Sequence, residues 1–192
     1  MINKAGVKKF AACNESHHKT TRAANNELYE SIKEHLEEAF TQKFGNCHLE
    51  ITTGGVFSNT LKSVVRHHIM FSFLGKRTSP DLTGFIHTQS SDTVVPLTPS
   101  IVKEFITVQV KRGKITLQDI YQAKMYGDLF PAKYALLISS EPIPEKIIRL
   151  DQRIFLTYRS MRSWYLYIGE WHSQSNAIGE IWLWLPHSPF QD

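Results

Sequence analysis

Between Ser79 and Tyr126 lie five side chains whose types and spacing suit one chemistry. Asp81 opens a short apolar run, Ser79-Pro80-Asp81-Leu82-Thr83-Gly84-Phe85-Ile86. Gln109 and Lys111 close a second, Phe105-Ile106-Thr107-Val108-Gln109-Val110-Lys111, and Gln122 and Tyr126 follow four residues apart. Successive side chains on a strand point to opposite faces, so Gln109 and Lys111 project to one side while Val110 packs behind them. Oxygens from Asp81 and Gln109, with the Val110 carbonyl as a third, suit a hard cation such as Mg²⁺ or Mn²⁺, which keeps several waters and needs only one or two carboxylates. A cation there is expected to polarise a phosphoryl oxygen and lower the pKa of a bound water. Lys111 beside it would orient that water and offset charge building on the phosphate.

These residues resemble the PD-(D/E)XK nuclease superfamily, with Pro80-Asp81 as the first motif and Gln109-Val110-Lys111 as the second. Gln122 and Tyr126 look like the QxxxY element of RecB-like members. The resemblance implies an α/β, restriction-endonuclease-like fold: an αβββαβ core whose mixed central sheet is flanked by helices. It implies a nuclease that uses Mg²⁺ or Mn²⁺ to hydrolyse DNA, with RNA as the second substrate, leaving a 5′-phosphate and a 3′-hydroxyl. By the same resemblance Asp81, Gln109 and Lys111 are catalytic, and Asp81, Gln109 and Val110 hold the metal. Gln122 would bond the nucleic-acid backbone or a metal water, and Tyr126 would line the cleft. One position departs from the family pattern, since Asp or Glu usually stands where this chain has Gln109. A neutral amide gives a carbonyl oxygen without charge, so metal affinity falls. The alternative is a module that keeps the scaffold and binds nucleic acid or a protein partner without cutting. No phosphate-cradling Gly-rich loop, nucleophile elbow or HExxH motif points to another enzyme class.

The chain of 192 residues, 42% hydrophobic and 11% aromatic, has the size and composition of one folded domain. It lacks an apolar stretch long enough to span a bilayer and a signal-peptide pattern, which gives a cytoplasmic expectation with no membrane partner. Cys13 and Cys47 stand far apart without a CxxC pair, as reduced thiols would. A net charge of +4 favours a polyanionic partner without requiring one.

The elements that must position the five residues can be read in order. Residues 1–20 form a basic N-terminal arm, 21–160 the nuclease-like core, and 161–192 a C-terminal aromatic β-hairpin extension packed on the same domain. Thr21 to Phe44 has helical period, with Leu28, Ile32, Leu36, Ala39, Phe40 and Phe44 as its apolar stripe and Gly45 as its stop. Many relatives point an acid from this helix into the site; Glu30, beside the stripe, is the better acidic candidate, and Asn25 lies near the middle of that face. His48 to Phe57 alternates weakly up to a Gly54-Gly55 turn. Val64 to Leu74 is expected as a strand with His67 or His68 facing inward, making the Asp81 strand the second arm of a meander. Gln89 to Ser100 is a polar loop.

Thr116 and Asp119 have capping-box spacing ahead of a helix whose Leu117, Ile120, Tyr121, Met125 and Leu129 give a mostly apolar face, with Gln122 and Tyr126 just beyond it. Lys133 to Ser139 reads as a central strand covered on both sides. A short helix through Ile147, Ile148 and Leu150 and a strand over Ile154 to Tyr158 follow. Trp164–Trp171 and Ile178–Leu185 form a hairpin, with Ile181, Leu183 and Leu185 on one face and Trp182 and Trp184 on the other. That hairpin offers a surface for core packing, a homodimer or base stacking. Lys111, Arg112 and Lys114 flank the site, and Arg149, Arg153, Arg159 and Arg162 recur later as phosphate-gripping candidates.

Overall fold

The computed structural model describes residues 26–75, 78–88, 101–172 and 180–191, the side chains of 101–103 and 182 excepted. The basic arm over 1–20, Asn25, the polar loop 89–100 and the hairpin turn lie outside the described residues. The chain is a mixed α/β protein. A helix over 26–44 (α1) leads to β1 (Cys47–Ile51), and a short helix α2 (Asn59–Val64) with a 3₁₀ turn (His68–Ser72) separates β1 from β2 (Leu82–Thr88). Then come β3 (Ile101–Lys111), α3 (Leu117–Leu129), β4 (Ala132–Ser139), α4 (Glu145–Ile154), β5 (Tyr158–Arg159), β6 (Trp164–His172) and β7 (Glu180–Leu185).

Among the described residues the strands form one mixed seven-stranded sheet in the order β1-β2-β3-β4-β6-β5, with β7 also pairing to β6. β1, β2 and β3 are antiparallel neighbours, whereas β3, β4 and β6 run parallel, with α3 and α4 lying between them in sequence as such crossovers require. The continuous apolar run of β4 is buried on both faces. On one face Ile32, Leu36 and Phe40 of α1 cover Leu82, Val108, Val110, Leu136 and Ile138, as their helical spacing predicts. On the other, α3 and α4 cover Ala135, Leu137 and Ile168, and the segment leading from β1 to β2 packs on Phe85.

Four expectations are corrected. Val64 to Leu74 is not a strand: Leu61 and Val65, then Met70 and Leu74, reach the core at four-residue spacing, and His67 and His68 are exposed. The preceding strand that pairs antiparallel with the Asp81 strand is therefore β1, with Leu49 opposite Gly84. Ile154 to Tyr158 is not a strand either. α4 runs through Ile154, Phe155 turns left-handed with φ 52°, and the Asp151 carboxylate accepts bonds from Thr157 N at 2.7 Å and Thr157 Oγ1 at 2.8 Å, leaving β5 two residues.

The face of α3 is also shifted, with Ile120 the one expected residue that is buried. Leu117, Tyr121, Met125 and Leu129 are exposed, and Ile120, Ala123, Tyr126 and Gly127 are buried. This helix is apolar on both sides, so period alone did not choose; close approach did. A Cβ on Gly127 would stand 2.6 Å from the Ala135 Cβ, a distance that only glycine permits. Finally, the hairpin pairs Trp171 with Ile181 but Glu170 with Leu183, so Trp182 is an extra residue. Such a bulge shifts the alternation. Ile181 and Trp184 pack with the α1 core, and Leu185 packs on the opposite one.

Candidate active site

Asp81 stands immediately before β2, where the first antiparallel pair of the β2–β3 seam begins. Its N–H donates to Val108 O at 2.9 Å, and Leu82 lies opposite Val108, so Asp81 comes to face Gln109. Pro80 is fixed behind it: Thr52 Oγ1 donates to Pro80 O at 2.9 Å and meets Thr83 Oγ1 at 2.9 Å. The Asp81 main-chain oxygen accepts from Thr52 N and Thr53 N, at 2.8 and 3.1 Å. This carboxylate is thus held by backbone on two sides before its own oxygens make any contact.

One carboxylate oxygen, Oδ2, accepts from Gln109 Nε2 and from Val110 N, each at 2.7 Å. The side chains of Tyr29, on α1, and Thr53, after β1, also hydrogen-bond the carboxylate. Asp81 is only 7% exposed. Burial pushes its carboxyl up to about 6, against the opposing pull of the bonds from Val110, Thr53 and Tyr29. The Tyr29 phenol is raised in turn by its own burial and then by the Asp81 charge, with Arg112 acting against the shift.

Gln109 supplies the open valence. Its Nε2 is spent on Asp81, while Oε1 is buried with no hydrogen-bond partner. An acceptor left so costs on the order of 1–3 kcal/mol. Val110 N points toward Asp81 from the same edge of β3 as the Val108 carbonyl that receives Asp81 N–H. N–H and C=O of one strand residue point to the same neighbour, so the Val110 carbonyl also faces the Asp81 side. Asp81 thus meets the Gln109 amide and the Val110 main chain, and a carboxylate, an amide oxygen and a backbone carbonyl are the donor types that suit Mg²⁺ or Mn²⁺. Among the described residues no group of three or more His, Cys, Asp or Glu gathers into a metal centre, so this mixed set is the arrangement to weigh.

Lys111 is on the same face of β3 as Gln109, and its ammonium meets Asp119 Oδ1 at 2.9 Å. Asp119 completes the capping box predicted from its spacing: Oδ2 accepts from Thr116 N at 2.8 Å, and Thr116 Oγ1 accepts from Asp119 N. Burial would raise the Asp119 carboxyl, but the Thr116 and Lys111 bonds outweigh it and hold the group below the usual range. Gln122 Nε2 donates to Tyr126 Oη at 2.9 Å, and Tyr126 is buried in the core beneath the seam. Its phenol is raised first by burial, and the Asp81 charge adds to that, which places the ring within reach of the carboxylate's field.

The structure therefore brings Asp81, Gln109 and Val110 into contact, adds Gln122 and Tyr126 behind them, and ties Lys111 to the start of α3. From α1 it is Tyr29, not Glu30, that bonds Asp81; Glu30 is exposed. Tyr29 lies one helical turn before Ile32 and Lys33 on the edge of the apolar stripe, where a phenol can bury its ring and keep its hydroxyl at a polar site. That edge position was the signal available in the sequence. Among the later arginines, Arg159 is no phosphate ligand: it is 1% exposed and bound to Asp128 and Ala132 O. Arg149 pairs with Glu145 at 2.6 Å. No family model, curated protein or solved structure matches the chain.

Proposed function

We propose that this chain is a metal-dependent nuclease of the PD-(D/E)XK type, hydrolysing phosphodiester bonds in nucleic acid, DNA in the first place. The observation that carries the reading is the partnerless, buried Gln109 Oε1 beside the Asp81 carboxylate. A protein interior rarely leaves such an acceptor unsatisfied unless something else comes to fill it. The order helix, three antiparallel strands, helix, parallel strand supports the restriction-endonuclease-like version of the fold, with Asp81 heading β2 and Gln109 ending β3.

Asp81, Gln109 and the Val110 carbonyl would hold a Mg²⁺ or Mn²⁺ ion, which when bound supplies Lewis-acid polarisation of a phosphoryl oxygen and an acidified water. The chain's own residues do the rest. Tyr29, Thr53 and Val110 N aim the Asp81 carboxylate. Asp119 fixes the reach of Lys111, so that its ammonium sits on the Gln109 face, where it stabilises negative charge growing on a phosphate. Tyr126, held by Gln122, walls the apolar side and keeps water from the back of the site.

One observation favours a second reading, a nucleic-acid-binding module without turnover: the Lys111 ammonium is already paired with a carboxylate. The experiment that separates them incubates labelled DNA with Mn²⁺ and compares the wild type with Lys111→Ala and Asp81→Asn. Cleavage that falls by about 10²-fold or more in both variants is expected, the usual loss when one charge-stabilising group is removed. Cleavage untouched by Lys111→Ala removes this mechanism, and binding without cleavage under Mg²⁺ or Mn²⁺ favours the module.

A further inference from the structure

The segment leading from β1 to β2 is unlike the elements just before it in charge. Between Glu50 and Asp81 it has no acidic residue, and it carries Lys62, Arg66, Lys76 and Arg77 with His67 and His68. The protein has 22 Lys and Arg against 18 Asp and Glu, so the four basic residues here equal its entire net charge of +4. The helix and strand before it are acidic, with Lys33 and Lys43 against Glu27, Glu30, Glu34, Glu37, Glu38 and Glu50.

The segment is also tied to the candidate site at both ends. It leaves β1 through Thr52 and Thr53, whose N–H groups bind Asp81 O, and it returns through Pro80, whose carbonyl Thr52 holds. Phe57, Leu61, Val65, Met70 and Leu74 anchor it on Phe85, Tyr126 and Phe130. Gly55 meets Gly75 so closely that a Cβ on Gly55 would lie 2.8 Å from the Gly75 carbonyl carbon, which draws the two limbs together. With its core so well anchored, the segment still leaves Val56, Ile69 and Phe73 each 74% exposed. Val56 and Phe73 flank the Gly55–Gly75 contact, and Ile69 lies four residues before Phe73 across the 3₁₀ turn.

Basic side chains and exposed apolar ones on one segment, tied at both ends to the candidate site, match a polyanion whose bases are free to stack. Lys62 and Arg66 supply charge for the backbone, and Phe73, with Val56 and Ile69, supplies the apolar platform. We infer that the described part of this segment, residues 51–75, is a docking element for a single-stranded stretch of nucleic acid, delivering an unpaired strand to the Asp81–Gln109 seam. The inference rests on the nuclease reading for the identity of the seam, but the docking element itself needs no metal.

Binding is measured on the full chain in EDTA by fluorescence anisotropy, with labelled oligothymidine and with its duplex with oligoadenine. The single strand is expected to bind more tightly than the duplex. Phe73→Ala should weaken the single strand at least about fivefold, the lower end of what one lost base stack costs, and leave the duplex unchanged. Lys62→Glu with Arg66→Glu should weaken both and flatten the slope of log affinity against log salt by about 1.4, two phosphate contacts at roughly 0.7 each. All three residues are at the surface, and unchanged circular dichroism and melting confirm the fold of each variant. Equal affinity for single strand and duplex overturns the inference, as does indifference to both sets of substitutions. Retention on phosphatidylserine vesicles that oligothymidine does not displace also overturns it and assigns the patch to an anionic membrane surface. Single-strand binding by a protein that cleaves nothing in Mn²⁺ keeps the docking element and removes the nuclease reading. Cleavage of single strands that the three substitutions leave untouched does the opposite.

Discussion

Two sites in this molecule place a charged side chain out of water, the Arg159 guanidinium beside Asp128 and the Asp81 carboxylate, and the protein treats them in opposite ways. Asp128 on α3 meets Arg159, whose guanidinium donates to Asp128 Oδ1 through Nε and Nη2 at 3.0 and 2.8 Å and to Ala132 O through Nη1 at 2.7 Å. The Trp164 ring lies 5.7 Å from the same guanidinium. All three guanidinium nitrogens there meet a carboxylate oxygen or a carbonyl. Asp81 has only neutral donors, and its neighbour Gln109 keeps an acceptor unused. The first arrangement neutralises a charge to close α3 onto β4 and β5; the second leaves a charge short of compensation at the end of a strand. A buried site that has saturated its bonding serves the fold, whereas one held in position yet unsatisfied is ready for something from outside.

The same chemical edit should therefore act in opposite directions at the two places. Asp128→Asn removes the partner of a buried guanidinium and is expected to destabilise the protein by about 3 kcal/mol, read as a lower denaturant midpoint at unchanged m-value. Asp81→Asn should stabilise it at neutral pH. The folded-state value of Asp81, about 6, lies above the ordinary 3.8, so its favourable contribution is complete below pH 3.8 and is lost as pH rises through about 6. The gain from the amide should accordingly reach about 3 kcal/mol near pH 8 and vanish toward pH 4, seen as melting temperatures that converge on acidification. Destabilisation by Asp81→Asn at pH 8 would erase the contrast between the two sites.

Gln109→Glu sharpens the contrast by restoring charge where the amide stands. Without metal it brings a second carboxylate against Asp81 and lowers the melting temperature. With Mn²⁺ it should tighten binding about tenfold by calorimetry, worth about 1.4 kcal/mol, since ligand charge sets much of the affinity of a hard-cation site. In both forms, affinity should fall as pH drops below about 6, because Asp81 must give up its proton to accept the ion. The smallest effect belongs to Tyr29→Phe. One hydrogen bond to Asp81 is lost, about 1 kcal/mol, and because that bond opposes the upward shift, the pH at which Mn²⁺ binding is half lost should move upward. No movement in that midpoint would mean that Tyr29 merely fills space.

Local patterns made much of this legible. The mixed α/β class, the apolar stripe of α1 and the twice-buried run of β4 follow from period, and the capping box from two residues three apart. Asp81 meets the Gln109 side chain and the Val110 N–H through the β2–β3 register, which strand alternation alone did not specify. Errors arose where a local pattern suited two outcomes. Val64 to Leu74 has the β-branched and aromatic residues of a strand, but Leu61, Val65, Met70 and Leu74 are satisfied together only by coiling onto Phe85. In β7 one inserted residue reversed the facing of Ile181, an event that no alternation rule foresees.

What the sequence settled by itself was the mixed α/β class, the apolar stripe of α1, the buried run of β4 and the capping box of α3, since side-chain types and short periods are properties of neighbours along the chain. Which groups complete the site was decided by tertiary structure: Tyr29 reaching Asp81 from α1, Asp119 capturing Lys111, and Gly127 choosing the buried face of α3. Each depends on how closely two distant segments approach. That distance is fixed by packing of the whole core, which no short stretch of sequence contains.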